Sequence, residues 1–461
     1  MSSFQGRMRE YPFLSIDRFD GENLKSSAFF LSHCHTDHMV GLGEQCFYEQ
    51  IKFRKDVKLY ASDVTKRLLA SARKWKYIAK CIEVLPVGEP TTIRVTMNHT
   101  AKVEELTVTL LPAGHCPGST MFLFEGSTGT ALYTGDFRLH CGDVARIRHL
   151  HDGDRVKDIE SLYVDTTFCI PEATHIATRD ESTAAIFSLV ERWITQSKRH
   201  LVWLNCKSQY GYESLFIDLH RRFGMKVHVC RWQLEKYSEV PEIQGALTTD
   251  RQSTQIHTCK VPPKFTCCRR DDGGATVRVM VVKPSMMWFA QHVSVAEVVR
   301  SSPARDRHRV CFSSHASYAE IRDMVRHLRP RNVHPNVVPC GSTLEQVKKR
   351  LEDFKKDLES SCHDTGDEDG GPDYGTLGTL QNHVRILPSD GETSNSLTFD
   401  ETPPQVEQEV APSEIQYEGF KMICTPTKCG GGRDDSQSSG EQQSQATYIS
   451  DSDSEEEEAA E

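Results

Sequence analysis

Five short apolar runs of this chain end on, or within a few residues of, a histidine or an aspartate: FFLSH at His33, LLPAGH at His115, LYTGD at Asp136, YVD at Asp165 and CFSSH at His315. Runs of this length and composition read as strands. Strands that carry reactive residues at their ends converge only if those ends share one edge of a sheet. The chain is thereby constrained toward an α/β fold with a crevice at that edge. ESTAAIFSLVERWITQS and SYAEIRDMVRHL have the spacing of amphipathic helices, and strand candidates alternate with them through the first 360 residues.

The densest of these ends is HCHTDH, residues 33 to 38. His33 and His35, two apart, can point the same way from an extended segment, and Asp37 and His38 follow one turn later. Imidazole and carboxylate at that spacing suit zinc or a similar cation. A histidine-rich surface loop is the bland alternative, and four specified residues directly after a buried-type strand argue against it. His115 lies between Gly114 and Gly118, and Asp136 follows Gly135, so both sit in turns where backbone can approach a site. Together they supply the third and fourth ligands.

Composition bounds the rest. The 461 residues, 38% apolar and 26% charged, allow two domains with sizeable cores. No run approaches the 18 or so apolar residues of a membrane helix, and MSSFQGRMREYPF lacks the apolar core of a secretion signal, so an intracellular protein without membrane contact is expected. The 16 cysteines are scattered and include the adjacent Cys267 and Cys268, which suits free thiols and a metal site better than a disulfide framework. Residues 361–461 carry 23 Asp/Glu against 4 Lys/Arg, whereas residues 1–360 carry 42 against 51. A basic body suits a polyanionic partner. The Gly-, Ser- and Asp/Glu-rich tail is expected to be disordered, and Thr447, Ser450, Ser452 and Ser454 sit beside acids that favour phosphorylation.

In order and rough spacing, HCHTDH, GHCPGS, TGD and the following Asp165 resemble the successive motifs of the metallo-β-lactamase fold. The resemblance implies a four-layered αββα architecture. His33, His35, His115 and Asp136 would then hold a catalytic zinc, and Asp37 and His38 with Asp136 would frame a second divalent ion such as Mg or Mn. The fold alone does not fix the substrate. About 150 residues separate Asp165 from His315, too many for a loop, and they resemble the β-CASP domain of nucleic-acid-processing members. In that group a strand-end carboxylate and a distant histidine form an acid pair, carried here onto Asp165 and His315. Asp165 would orient His315 and raise its pKa for protonation of a leaving oxygen.

The family's RNA-cleaving members place a further histidine where this chain has Val337, Val338 and Cys340, with His334 several residues too early. The resemblance is therefore to the DNA-processing branch, with a weaker or transient second ion. Longer stretches, among them RVKDIESLYVDTTFC and KPSMMWF, resemble DNA cross-link repair nucleases over about residues 1 to 350. That likeness implies a nuclear, monomeric endonuclease and exonuclease that opens hairpins and trims overhangs in non-homologous end joining and V(D)J recombination. A DNA-dependent protein kinase would be a partner. DNA ligase binding lacks support, because the tail contains no tryptophan and no aromatic cluster. The likeness also implies a structural zinc on His228, His257, Cys259 and Cys267 or Cys268, and a DNA-phosphate contact at Lys207 and Tyr212, beside a helix N-terminus.

The expected layout is a metallo-β-lactamase domain at 1–155, a β-CASP domain at 156–310, a return segment at 311–360 and the tail at 361–461. An RNA endonuclease and a non-catalytic repair scaffold are the rival readings. The valines count against the first, and the complete ligand set against the second.

Overall fold

The computed structural model describes residues 2–97, 102–206, 208–259, 277–286, 288–289, 297–302 and 306–361. Lys207, Cys267, Cys268 and the tail beyond Ser361 lie outside the described residues.

Two sheets stack face to face. The first is a parallel ladder of β1 (Leu14–Ile16), β2 (Ala28–Phe30), β3 (Lys58–Ala61) and β4 (Ile82–Val84), in that order. The second has the order β19-β11-β8-β7-β6-β5. Its strands β5 (Thr91–Thr96), β6 (Val103–Pro112), β7 (Thr120–Gly126) and β8 (Gly129–Tyr133) form an antiparallel meander. After a small hairpin of β9 (His151–Asp152) and β10 (Arg155–Val156), β11 (Ile159–Val164) and β19 (Asn332–Pro335) extend that sheet in parallel.

The period-2 alternation of side chains explains the layers. Phe30 and Tyr60 of the first sheet meet Phe122, Phe124 and Tyr133 of the second in one buried core. Their chain neighbours Phe29 and Leu59 turn the other way, onto Phe47 and Ile51 of α1 (Gln45–Phe53) and Leu68 and Leu69 of α2 (Asp63–Ser71). On the far side, Leu123, Leu132 and Leu162 meet Ile321, Met324 and Val325 of α5 (Tyr318–Leu328) and Leu351 and Phe354 of α6 (Leu344–Ser361). The result is the αββα sandwich expected from the sequence. Strands covered on both faces read as unbroken apolar runs, as SAFFL does.

Between β11 and α5 the chain builds a third sheet, in the order β14-β13-β15-β12-β16-β18-β17. Its strands are β12 (His200–Leu204), β13 (Val227–His228), β14 (Leu247–Thr248), β15 (Ile256–His257), β16 (Arg278–Pro284), β17 (Val299–Ser302) and β18 (Arg307–Val310). All pairs are parallel except β17 with β18. α3 (Arg179–Ile194) and α4 (Glu213–Phe223) bury Ile186, Val190, Leu215 and Leu219 with Val202 and Leu204 of this sheet. β11 lies inside the range expected for the inserted segment but belongs to the six-stranded sheet. Among the described residues no helix is long and apolar enough to cross a membrane.

Candidate metal centre

β2 ends at Phe30, and the next turn delivers His33 and His35 before a short 3-10 turn, Thr36–His38. β6 delivers His115, and β8 delivers Asp136. Gly114 is the device at the His115 turn: its φ is +69°, and a Cβ there would stand 2.3 Å from the Arg138 carbonyl oxygen. Only glycine admits that approach, which presses the His115 and Asp136 loops together.

Four donor atoms converge. His35 Nδ1 is 3.1 Å from His33 Nε2 and 2.9 Å from His115 Nε2. Asp136 Oδ2 is 3.5 Å from both His33 Nε2 and His115 Nε2. Ligands about 2.0–2.1 Å from a zinc ion at the corners of a tetrahedron stand about 3.4 Å apart, so the set fits such a cation without rearrangement. Burial pushes the His35 pKa down to about 3, with His33 adding to it, and burial holds His115 well below the ordinary value. Both imidazoles are thus neutral, the form that ligates.

Each imidazole is braced from behind, as metal-binding histidines require. His115 Nδ1 donates to the Ser314 carbonyl at 2.9 Å, and His35 Nε2 to the Tyr210 carbonyl at 3.4 Å. His33 Nδ1 meets the Ser32 hydroxyl at 2.9 Å, and that hydroxyl donates to Asp17 at 2.6 Å. Asp17 also accepts from the Ser32 N–H, from Tyr133 and from His38 Nδ1, at 2.7, 2.9 and 2.8 Å. Sequence reasoning missed Asp17. It follows strand LSI, so the strand-end signal that found the ligands was present there too.

A second set lies on the other side of Asp136. His38 Nε2 is 3.2 Å from Asp136 Oδ1 and 3.9 Å from Asp37 Oδ2, yet it is buried and makes no hydrogen bond. Buried polar atoms are rarely left so, and the orphaned nitrogen between two carboxylates fits a second cation. Burial opposes charge on His38, but Asp136 and Asp17 outweigh it and hold its pKa well above the ordinary value. Asp136 itself is held low, its burial offset chiefly by His38 and His315.

Asp165 and His315, far apart in sequence, are hydrogen-bonded. His315 Nδ1 lies 2.8 Å from Asp165 Oδ2, and Asp165 Oδ1 accepts from the Thr167 N–H and hydroxyl at 2.9 and 2.6 Å. Asp165 and His315 cluster with Asp136, and the His315 ring is 4.6 Å from that of His115. Burial pushes the His315 pKa down, but Asp165 and Asp136 more than offset it, so it lies above the ordinary value. The buried Arg138, two residues beyond Asp136, donates to the carbonyls of Ser313, Ile176 and Ala177 and lies 3.4 Å from Glu320, which caps α5. One guanidinium thus fixes the loop that carries His315.

In the inserted sheet His228 and His257 are both buried, with their Nδ1 atoms 3.0 Å apart, and Cys259 is buried. Cys259 is disulfide-bonded. Tyr212 precedes α4 with its ring 5.7 Å from Phe312 and packs on the large core.

Residues 241–341 match the family model described as DNA repair metallo-beta-lactamase. The chain is 43% identical over 427 residues to protein artemis of Gallus gallus, covering 91% of this chain and 57% of that one. It is 43% identical over 412 residues to protein artemis of Homo sapiens, covering 88% and 58%. It is 33% identical over 331 residues to the 5' exonuclease Apollo of Gallus gallus, covering 70% and 61%. The chain thus spans less than two thirds of the length of these relatives.

Proposed function

We propose that the chain is a member of the DNA repair metallo-β-lactamase family, which it resembles, and a metal-dependent nuclease that cuts DNA phosphodiesters. The observation that carries this reading is the Asp165–His315 pair, set beside a complete ligand cluster. Zinc would be held by His33, His35, His115 and Asp136, and a second divalent ion, magnesium or manganese, by Asp37, His38 and Asp136. Such ions, when bound, supply Lewis acidity toward phosphate and water.

The chain's own residues supply the rest. His315 keeps a proton on Nδ1 in its bond to Asp165, which fixes the ring and favours its protonated form. The protonated ring can then give a proton to the departing 3' oxygen, leaving a 5'-phosphate and a 3'-hydroxyl. Arg138 and the Glu320 cap hold the loop that presents the ring.

We place hairpin and overhang processing in the nucleus as the setting, with the family description supporting DNA repair and one relative's name supporting exonuclease action. We place a DNA-dependent protein kinase among the partners, with the chain acting as a monomer and the part of residues 156–310 that follows β11 as a β-CASP domain. A structural zinc on His228, His257, Cys259 and Cys267 or Cys268 belongs to the same reading and requires Cys259 in its thiolate form. Lys207 and Tyr212 are proposed DNA-phosphate contacts.

The test is cleavage of end-labelled hairpin, overhang and single-stranded DNA beside matched RNA hairpins, with and without chelator. Chelator-sensitive cutting of DNA with 5'-phosphate products is expected. Cutting of RNA alone, or no cutting by a fully metallated chain, would refute the proposal.

A further inference from the structure

The donors of the centre are not held alike. His33, His35, His115 and His38 each have an orienting partner in the body of the fold. Asp37 does not. It stands in the 3-10 turn Thr36–His38, its side chain about a third exposed, and among the described residues its carboxylate accepts one hydrogen bond, from the Ser2 N–H at 3.2 Å.

The segment that brings Ser2 there is tied down along its length. The Ser3 N–H and hydroxyl both donate to the Asn336 carbonyl, at 2.8 and 3.0 Å, in the turn that follows β19. The Phe4 ring lies 5.0 Å from Tyr133 and 5.6 Å from Tyr163, and Tyr133 is the residue whose hydroxyl holds Asp17. Asn23 Nδ2 donates to the Gln5 carbonyl at 3.1 Å, and the Ile16 N–H to the Gly6 carbonyl at 2.8 Å. Gly6 has φ +93°, and a Cβ there would stand 2.6 Å from that of Arg18, so the segment passes where only glycine fits. A loose chain end would not carry five such restraints in five residues.

We infer that residues 2–6 are a positioning arm for the second cation site: the arm holds Asp37 in the orientation in which it can share an ion with His38 and Asp136. The inference rests on the reading of the cluster as a metal centre. The mechanism is preorganisation, since an unheld, partly exposed carboxylate must lose its rotamer freedom when the ion arrives. The contact to Asp37 is made by the backbone, and the Ser3 N–H keeps the tie to Asn336 without the hydroxyls, so the arm's length matters more than the serine side chains.

Manganese binding to the full chain tests this. Three proteins are compared after dialysis that leaves only the tightly held ion: wild type, a chain lacking Ser2 and Ser3, and Ser2→Ala/Ser3→Ala. Free Mn2+ is followed by electron paramagnetic resonance, and thermal midpoints are recorded. The deletion is expected to keep the tight ion and a midpoint within a few degrees of wild type. Its Mn2+ half-saturation should rise at least tenfold, while the double alanine chain stays within twofold of wild type. Deletion behaviour within twofold of wild type overturns the inference, as does a double alanine chain as weak as the deletion. A wild type that takes up no Mn2+ beyond the tight ion overturns the arm alone, whereas one without even the tight ion overturns the metal centre as well.

Discussion

The two sides of the centre share Asp136 and differ in how they are held. On one side, three imidazoles are braced by groups of the fold, the Ser314 and Tyr210 carbonyls and the Ser32–Asp17 relay. On the other, His38 is braced by Asp17 while Asp37, about a third exposed, is held by the arm of residues 2–6. Rigid bracing lowers the cost of binding an ion, so the first side should hold its cation tightly and the second should exchange. The contrast teaches that two donor sets of one candidate metal centre can be asymmetric in their supports while their donor atoms look equivalent.

The largest expected effect comes from removing what the sides share. Asp136→Ala should release both ions and lower cleavage by on the order of a thousandfold or more. Retention of the tight ion, measured by elemental analysis, would show that the sides are independent. Next, His315→Ala should lower cleavage by roughly 10²–10⁴ with both ions kept, because it removes a proton donor and no ligand. Loss of an ion in that variant would move His315 from the acid pair into the ligand set.

Asp17→Asn is the sharper probe, since Asp17 supports His33 through Ser32 and His38 directly. Affinity for both ions should fall by about 10–100-fold, and competition with a chelator would read the two sides separately. An effect confined to His33's ion would break the comparison as drawn. The smallest effect lies at His140, outside the centre. Its bond to Glu320 raises its pKa despite partial burial. A histidine with a raised folded pKa adds stability below its unfolded value, and that increment is lost as pH rises through the folded one. A small fall in thermal midpoint across the neutral range, absent in His140→Gln, is the expected signature.

What the sequence showed and hid follows from which groups do the work. Ligation and proton transfer need particular side chains, so His33, His35, His115, Asp136, Asp165 and His315 stood out by type and by their place after apolar runs. The sandwich was legible for a related reason: FFL and LLP read as covered strands, and Phe29 and Phe30 divide between two cores. The braces were not legible. Ser314 and Tyr210 act through carbonyls and Ser2 through its N–H, groups every residue carries, and only the fold says which of them face a ligand. Asp17 lay between these cases, since its type was visible but nothing nearby in sequence marked it as the acceptor for residues 32, 38 and 133.

The carbonyl of Tyr210, in the loop after β12, reaches His35, and that of Ser314, beyond β18, reaches His115. Two imidazoles of the centre are therefore also the points where distant stretches of chain are pinned together. By thermodynamic linkage, an ion that favours their ligating tautomers also favours that docking. Amide hydrogen exchange would read this directly: chelation should speed exchange around residues 208–212 and 313–316 while leaving the stacked strands β6, β7 and β8 protected.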